Sequence, residues 1–205
     1  FRVNGDLFDD GAHEDDAPND GIYGGSYTVR LGDNVTDAKL TGILKDLAGN
    51  GAELIASKTV TLDTQPPSIT ALTFTVTRPE IGAVQTTNLL VGDLLTVTLA
   101  GEIGGEAEFD LGELQSAIRL FDDGTHGDQR SNDGVYTNTY IVRTNDNATN
   151  AVITGRLRDG AGNENEMTSP ILINIDTTPP SIQTIEHNAT NRPLIAGARL
   201  IVRLR

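Results

Sequence analysis

The chain reads as an all-β protein made of tandem β-sandwiches of about seven strands each. Three observations predict this. Short segments alternate apolar and polar residues with period two, turn-rich stretches separate them every ten or so residues, and a long stretch of the chain recurs further along it. The 205 residues are too many for one sandwich of roughly 100 residues and too few for a large multidomain enzyme. The 22 Gly and the abundant Thr, Asp and Asn favour strands joined by tight turns over helices. No stretch carries a 3.6-residue apolar period.

The repeat sets the organisation. Leu7–Ile69 aligns with Leu120–Ile182 at a constant offset of 113 with no gap. LFDDGAHEDDAPNDGIYGGSYTVR returns as LFDDGTHGDQRSNDGVYTNTYIVR, and LDTQPPSI returns as IDTTPPSI. About half of the aligned positions are identical. A weaker echo relates LLVGDLLTVTL (Leu89–Leu99) to PLIAGARLIVRL (Pro193–Leu204). The phase of the repeat predicts one complete unit at 67–179. It is preceded by the C-terminal part of a unit at 1–66 and followed by the opening strands of another at 180–205. A half-sandwich cannot bury its inner face alone. Two arrangements answer that need. The chain is a window of a long tandem array, which is the preferred reading, or residues 180–205 of one chain complete the 1–66 half of another in a head-to-tail homopolymer.

Within the complete unit, strands are expected at Ser68–Val76, Asp93–Ala100, Ala107–Leu111, Ser116–Phe121, Tyr136–Arg143, Ala151–Arg158 and Ile171–Asp176. DTQPP and DTTPP end a strand, because Pro lacks the ladder donor, and they make short stiff joints between units.

Composition excludes several functions. The 15 Lys and Arg against 29 Asp and Glu leave a formal charge of −14, which argues against a nucleic-acid partner. Without cysteine there is no disulfide framework, thiolate zinc site or cysteine nucleophile. The apolar runs are only a few residues long, so membrane insertion is not expected. No signal peptide opens the chain at Phe1, which reads as mature or as cut from a longer precursor.

The acidic motif D-D-G-x-H-x-D-x-x-x-N-D-G holds Asp9, Asp10, Asp15, Asn19 and Asp20 in its first copy, and Asp122, Asp123, Asp128, Asn132 and Asp133 in its second. Carboxylates this dense repel unless solvated, spread or neutralised. A hard cation such as Ca²⁺ takes six to eight oxygen ligands. The spacing is not that of an EF-hand. The plainer reading is a loop whose Asp and Asn side chains bond their own backbone as Asx-turns. His13 and His126 sit in these loops. A His/Asp zinc site is conceivable, but a surface histidine beside carboxylates is the commoner case.

A second motif, D-x-A-G-N followed by D-T-x-P-P, holds Asp46, Asn50 and Asp63, then Asp159, Asn163 and Asp176. It reads as a hairpin turn with Gly at positive φ plus a turn cap before Pro-Pro, or as a calcium site that locks successive units. If Ala151–Arg158 and Ile171–Asp176 are antiparallel neighbours, D-x-A-G-N tops one strand and Asp176 lies at the foot of the next. Asn34, Asn147 and Asn188 begin Asn-x-Thr sequons, a weak glycosylation signal. G-x-S-x-G, H-E-x-x-H, Walker and dinucleotide motifs are all missing, and catalysis is not expected.

D-G-A-G-N-E-N (Asp159–Asn165) with I-D-T-T-P-P (Ile175–Pro180) resembles the end of the bacterial immunoglobulin-like repeats that tile extracellular adhesins and surface proteins. L-F-D-D-G-T-H-G-D…N-D-G-V-Y (Leu120–Tyr136) resembles an acidic loop of bacterial and archaeal extracellular proteins. The resemblance implies tandem immunoglobulin-like domains outside the cell or at its surface, in a stalk, fibre or surface-layer segment. Its partners would be neighbouring modules of the same or adjacent chains. In related adhesin rods calcium near the joints stiffens the array, which carries over to Asp46, Asn50, Asp63, Asp159, Asn163 and Asp176. The first copy departs from the pattern at Leu47, where the second has Gly160. A carbohydrate-binding accessory module of a secreted enzyme is the alternative of another class. Few aromatics support it, and the pairs Tyr23/Tyr27 and Tyr136/Tyr140 fit a core or sheet face better.

Overall fold

The computed structural model describes residues 3–189 and 193–205. It is all β. In chain order the strands are β1 (Val35–Lys45), β2 (Gly51–Leu62), β3 (Ile69–Arg78), β4 (Gly82–Val84), β5 (Asn88–Leu89), β6 (Leu94–Gly101), β7 (Glu106–Leu111) and β8 (Gln115–Leu120). They continue as β9 (Val135–Ile141), β10 (Ala148–Ala151), β11 (Ile153–Arg158), β12 (Glu164–Thr168), β13 (Ile173–Ile175), β14 (Ile185–His187) and β15 (Val202–Leu204).

Alternation drives the central strands to the middle of their sheets. In β6 every second residue points inward: Leu95, Val97 and Leu99 are fully buried, while the residues between them stay partly accessible. β6 is paired on both sides, in a sheet ordered β4-β3-β6-β9. β7 buries Ala107, Phe109 and Leu111 in the same way, and β11 buries Ile153 and Leu157. These two strands pair in the sheet β12-β11-β7-β8. The inner faces of both sheets meet in one apolar cluster, so the architecture is a β-sandwich. The sheets touch at Gly155, where a Cβ would lie 2.8 Å from Leu99 Cδ1 and 2.9 Å from Leu72 Cδ1. A third small sheet, β10-β13-β5, closes one side with a parallel β13·β5 pair that puts Ile173, Ile175 and Leu89 into the core. Each such side chain contributes about 1.5–3 kcal/mol relative to exposure.

One charge is sealed beneath this core. Asp93 is fully buried and accepts from Arg78 Nε at 2.9 Å, Arg78 Nη2 at 2.8 Å and the Leu90 N–H at 3.1 Å. Its backbone carbonyl accepts from the Val142 N–H at 3.0 Å. The ion pair therefore ties the turn before β6 to β3, and the backbone bond ties the same turn to the end of β9. The Arg78 guanidinium holds the Asp93 carboxyl below the usual carboxylate range.

All seven expected strands coincide with elements of the sandwich. β4 and β5 are too short to show alternation, β12 (ENEMT) has no apolar alternation, and β10 is cut from β11 only at Val152. The condition that Ala151–Arg158 and Ile171–Asp176 be antiparallel neighbours is met at one residue only. Only Ala151 faces Ile173; β11 pairs with β12 and β7, and β13 pairs with β10 and β5. Pro170 causes the break, since it cannot donate to the ladder and the chain changes sheets around it. At the equivalent position of the first copy stands Ser57, and there β2 runs unbroken for 12 residues against β1.

The repeat shows what the core requires. Leu157 is 0% exposed, whereas its counterpart Leu44 is 55% exposed; Tyr136 is 2% exposed and its counterpart Tyr23 45%. A Cβ built on Gly42, the counterpart of Gly155, would meet nothing closer than 3.9 Å. Residues 1–66 hold no counterparts of β3, β6 and β7. The C-terminal hairpin pairs Ile185 with Leu204. With the repeat offset and the sequence echo, this is the register of Leu72 with Leu99 in β3·β6.

Two outcomes are expected. Leu157→Ala lowers unfolding stability by about 2–5 kcal/mol through the cavity it leaves, whereas Leu44→Ala changes it by no more than about 0.5 kcal/mol; urea titration of both variants checks the contrast. Arg78→Met strands a buried carboxylate and costs about 3–5 kcal/mol near neutral pH. Because the folded pKa of Asp93 is depressed, its contribution is complete above the unfolded value of about 3.9 and is lost as pH falls through the lower folded value. The stability-against-pH curve of the variant is therefore flatter than wild type below about pH 4.

Candidate metal centres

The second acidic loop runs from Phe121 to Gly134, between β8 of one sheet and β9 of the other. Its ends are clamped by a bridge in which Phe121 and Thr137 exchange N–H···O bonds of 3.0 and 2.9 Å. Asp122 closes the loop: its Oδ1 accepts from the Asp133 N–H at 3.0 Å and its Oδ2 from the Gly134 N–H at 2.9 Å. Gly134 is required there. Its φ is 82°, and a Cβ would lie 2.5 Å from the Gly101 carbonyl. Inside the loop, Asp128 Oδ2 accepts from the Gly124 N–H at 2.7 Å and Oδ1 from the Arg130 N–H at 3.1 Å. Asp133 Oδ1 accepts from the Val135 N–H at 3.1 Å. Asn132 takes a φ of 58°, which Asn tolerates better than most residues.

The first loop repeats this geometry. Asp9 accepts from the Asp20 N–H at 3.0 Å and the Gly21 N–H at 3.1 Å, Asp15 from the Gly11 N–H at 2.8 Å, and Asp20 from the Ile22 N–H at 2.8 Å. Asn19 has a φ of 61°. All but one of these hydrogen bonds, that from the Arg130 N–H to Asp128 Oδ1, thus form without the packed core beside them, so the local sequence encodes most of the loop.

The result is two carboxylate triads, Asp9/Asp15/Asp20 and Asp122/Asp128/Asp133. In each, one oxygen per residue lies within 4.8 Å of the others, and the central aspartate is buried. Ligands on opposite sides of a bound Ca²⁺ would stand about 4.6–5.2 Å apart, twice its usual bond length. Both triads can therefore hold a metal ion. The Asx-turn bonds do not compete with this, because a carboxylate oxygen that accepts one N–H keeps a further lone pair.

The other residues of the motif stand outside the triads. Asp10 accepts from the Ala12 N–H at 2.9 Å and lies 3.0 Å from His13 Nδ1. Asp123 accepts from the Thr125 N–H at 2.8 Å and faces His126 Nδ1 at 3.4 Å, and the Thr125 hydroxyl helps hold its carboxyl below the usual range. The rings of His13 and His126 lie against Phe8 and Phe121, with centroids 4.6 and 4.0 Å apart. Neither histidine belongs to a triad, so the zinc alternative gains no ligand set.

The D-x-A-G-N segments are β-hairpin turns. Asp159 accepts from the Ala161, Gly162 and Asn163 N–H groups at 2.7–2.9 Å, and Asn163 Nδ2 donates to it at 2.8 Å. Asn50 Nδ2 and N–H both donate to Asp46 at 2.8 Å. Bonds from the Asn side chains lower both aspartate pKa values first, followed by the backbone donors. Gly49 and Gly162 carry the positive φ, and Gly160 does not. Leu47 therefore fits where Gly160 stands, and the two turns match. Asp63 and Asp176 cap the next turn, accepting from the Gln65 and Thr178 N–H groups at 3.0 and 2.9 Å. These residues do not gather with one another into an acidic group of three among the described residues. A different joint contact is present: Asn163 Nδ2 donates to the Asp63 carbonyl at 3.2 Å, and Asn165 Nδ2 to the Pro67 carbonyl at 2.9 Å.

Two recurrent devices went unread in the sequence. The Tyr140 hydroxyl donates to Asp146 Oδ2 at 2.7 Å and Tyr27 to Asp33 at 2.6 Å; burial, then this bond, pushes Tyr140 up to about 12. Asn34 and Asn147 use Oδ1 to accept from the N–H groups of Thr64 and Thr177 at 2.8 and 2.9 Å, fastening the strand before each Pro-Pro joint. The offset of 113 that relates each pair was the available signal. A concavity lined by Glu106, Glu108, Arg119, Arg156, Arg158 and Glu164 is an open charged face. Within it Arg156 bonds Asp110 at 2.5 Å and Glu108 at 3.4 Å.

Comparison with known proteins finds no matching family model, no matching curated protein and no matching solved structure.

Asp122→Ala removes the acceptor for two amides. Hydrogen exchange at Asp133 and Gly134 is expected to speed up, while the Gly124 amide, held by Asp128, stays protected. The stability loss is on the order of 1.5–3 kcal/mol for a charged acceptor. Unchanged exchange at Gly134 would show that the loop is closed by other contacts.

Proposed function

We propose that this chain is a non-enzymatic structural stretch of an extracellular or cell-surface protein. In this reading, tandem immunoglobulin-like sandwiches form a stalk, fibre or surface-layer segment, and calcium in the acidic loops stiffens it. One observation carries the reading: the same carboxylate triad, closed by the same backbone bonds, recurs once per repeat at the same place in the unit. A site that recurs in step with a structural module serves the module. An active site gains nothing from a copy in each bead of a string. Residues 1–66 expose apolar side chains whose counterparts are core in 67–179, which suits a chain whose units are completed by neighbours.

The physical role of calcium follows from where the loops lie. The acidic loop of the complete unit connects the two sheets, so an ion there ties them together at one end of the sandwich. It also offsets part of a net charge of −14. An ion that binds only the folded loop stabilises it by mass action, by about 2.7 kcal/mol at a free concentration 100 times its Kd. The Pro-Pro joints and the Asn163–Asp63 contact limit bending between units.

EDTA is expected to lower the melting temperature by several degrees, and added Ca²⁺ to restore it, with Mg²⁺ less effective because it demands a tighter octahedral shell. Calorimetry in the three conditions decides it. A melting curve indifferent to both chelator and calcium removes the metal part of the proposal.

A further inference from the structure

The two triads differ in one buried atom. Asp128, 8% exposed, has both carboxylate oxygens engaged: Oδ2 by the Gly124 N–H at 2.7 Å and Oδ1 by the Arg130 N–H at 3.1 Å. Asp15, 6% exposed, has Oδ2 engaged by the Gly11 N–H at 2.8 Å, but its Oδ1 is buried without any partner. Among the described residues it is the one buried side-chain oxygen left so. A buried carboxylate oxygen with no donor costs stability until something satisfies it. Here that oxygen belongs to a residue whose carboxylate lies within 4.8 Å of two others, where no donor is needed if a cation binds.

Charge points the same way. The first loop carries Asp9, Asp10, Glu14, Asp15, Asp16 and Asp20 with no Lys or Arg. The second carries Asp122, Asp123, Asp128 and Asp133, and sets Arg130 two residues from the central Asp128. The more negative loop attracts a divalent cation more strongly, and the cation of the second opposes it. Both triads offer oxygen alone, which selects a hard ion.

We infer that the two triads are unequal, and that Asp9/Asp15/Asp20 is the tighter site, filling with Ca²⁺ before Asp122/Asp128/Asp133. The inference rests on the calcium reading above and adds an order of filling. In the first loop the ion replaces a missing hydrogen bond, whereas in the second it adds to a set already satisfied by the backbone. Because the first loop lies on the half-unit with the exposed inner face, calcium would organise the part of the chain that has least core to hold it.

The test is calorimetric titration of the full chain with CaCl₂, with amide NMR spectra to place each event. Wild type is expected to show two events separated by roughly ten-fold or more in Kd, the difference one unsatisfied buried group would make. The first shifts the amides of Gly11, Asp20 and Gly21, and the second those of Gly124, Asp133 and Gly134. Asp15→Asn removes the tight event and spares the weak one; Asp128→Asn does the reverse. Arg130→Glu, which leaves both triads intact, tightens the weaker site and narrows the gap. Metal-free spectra show whether each variant loop keeps its fold, and Arg130→Glu carries the test if Asp15→Asn does not. Two events of equal affinity, a tighter event at Asp122/Asp128/Asp133, or no effect of Arg130→Glu overturns the inference while leaving calcium binding standing. No event at either loop overturns both.

Discussion

A strand whose alternate residues are apolar is stable only when a second sheet covers them. Everything in residues 67–179 answers to that requirement. β6 and β3 bring Leu72, Val76, Leu95, Val97 and Leu99 to one inner face, and β7 and β11 bring Phe109, Leu111, Ile153 and Leu157 to the other. Gly155 lets the two faces approach. The same constraint explains the contrast within the chain. Leu40 and Leu44 in β1 repeat the pattern of Ile153 and Leu157, but lie exposed because no counterpart of β3, β6 or β7 stands over them. Burial is not a property of the residue type at these positions; it is conferred by the partner sheet.

The acidic loops obey a different constraint, and a more local one. Carboxylates packed closely need donors, and the loop supplies them from its own backbone through left-handed residues and Asx-turns. That is why the loop keeps its form in both copies, with and without a complete core beside it. It is also why the Asx-turn and metal readings are not rivals. The backbone bonds bring three carboxylates together, with one oxygen of each within 4.8 Å of the others. The proposed calcium role uses a geometry that the hydrogen bonds have already built.

Legibility followed range. The repeat, the strands with strong alternation and the turns around Asp46 and Asp159 could be read because each depends on neighbours a few residues away. β12 escaped because an edge strand needs no apolar alternation, and its sequence Glu164–Thr168 is polar throughout except for Met167. The exchange of partners at Pro170 also escaped, since a broken ladder is visible only when both strands are in place. Of the ten loop residues expected as ligands, the structure gathers Asp9, Asp15, Asp20, Asp122, Asp128 and Asp133 into triads. Asp10 and Asp123 turn instead to the histidines, and Asn19 and Asn132 serve the backbone. Spacing alone did not separate these roles, because which way a side chain leaves a loop depends on φ at each residue.

By itself, the sequence determined the all-β class, the 113-residue period and the acidic character of the loops, all of which are written in local pattern and composition. Tertiary structure alone decided which aspartates meet, and that Asp93 is sealed beneath Arg78 while Asp15 keeps a buried oxygen unsatisfied. The reason is that burial and convergence are relations between segments far apart in the chain. Identical local patterns acquire different energies according to what is packed against them.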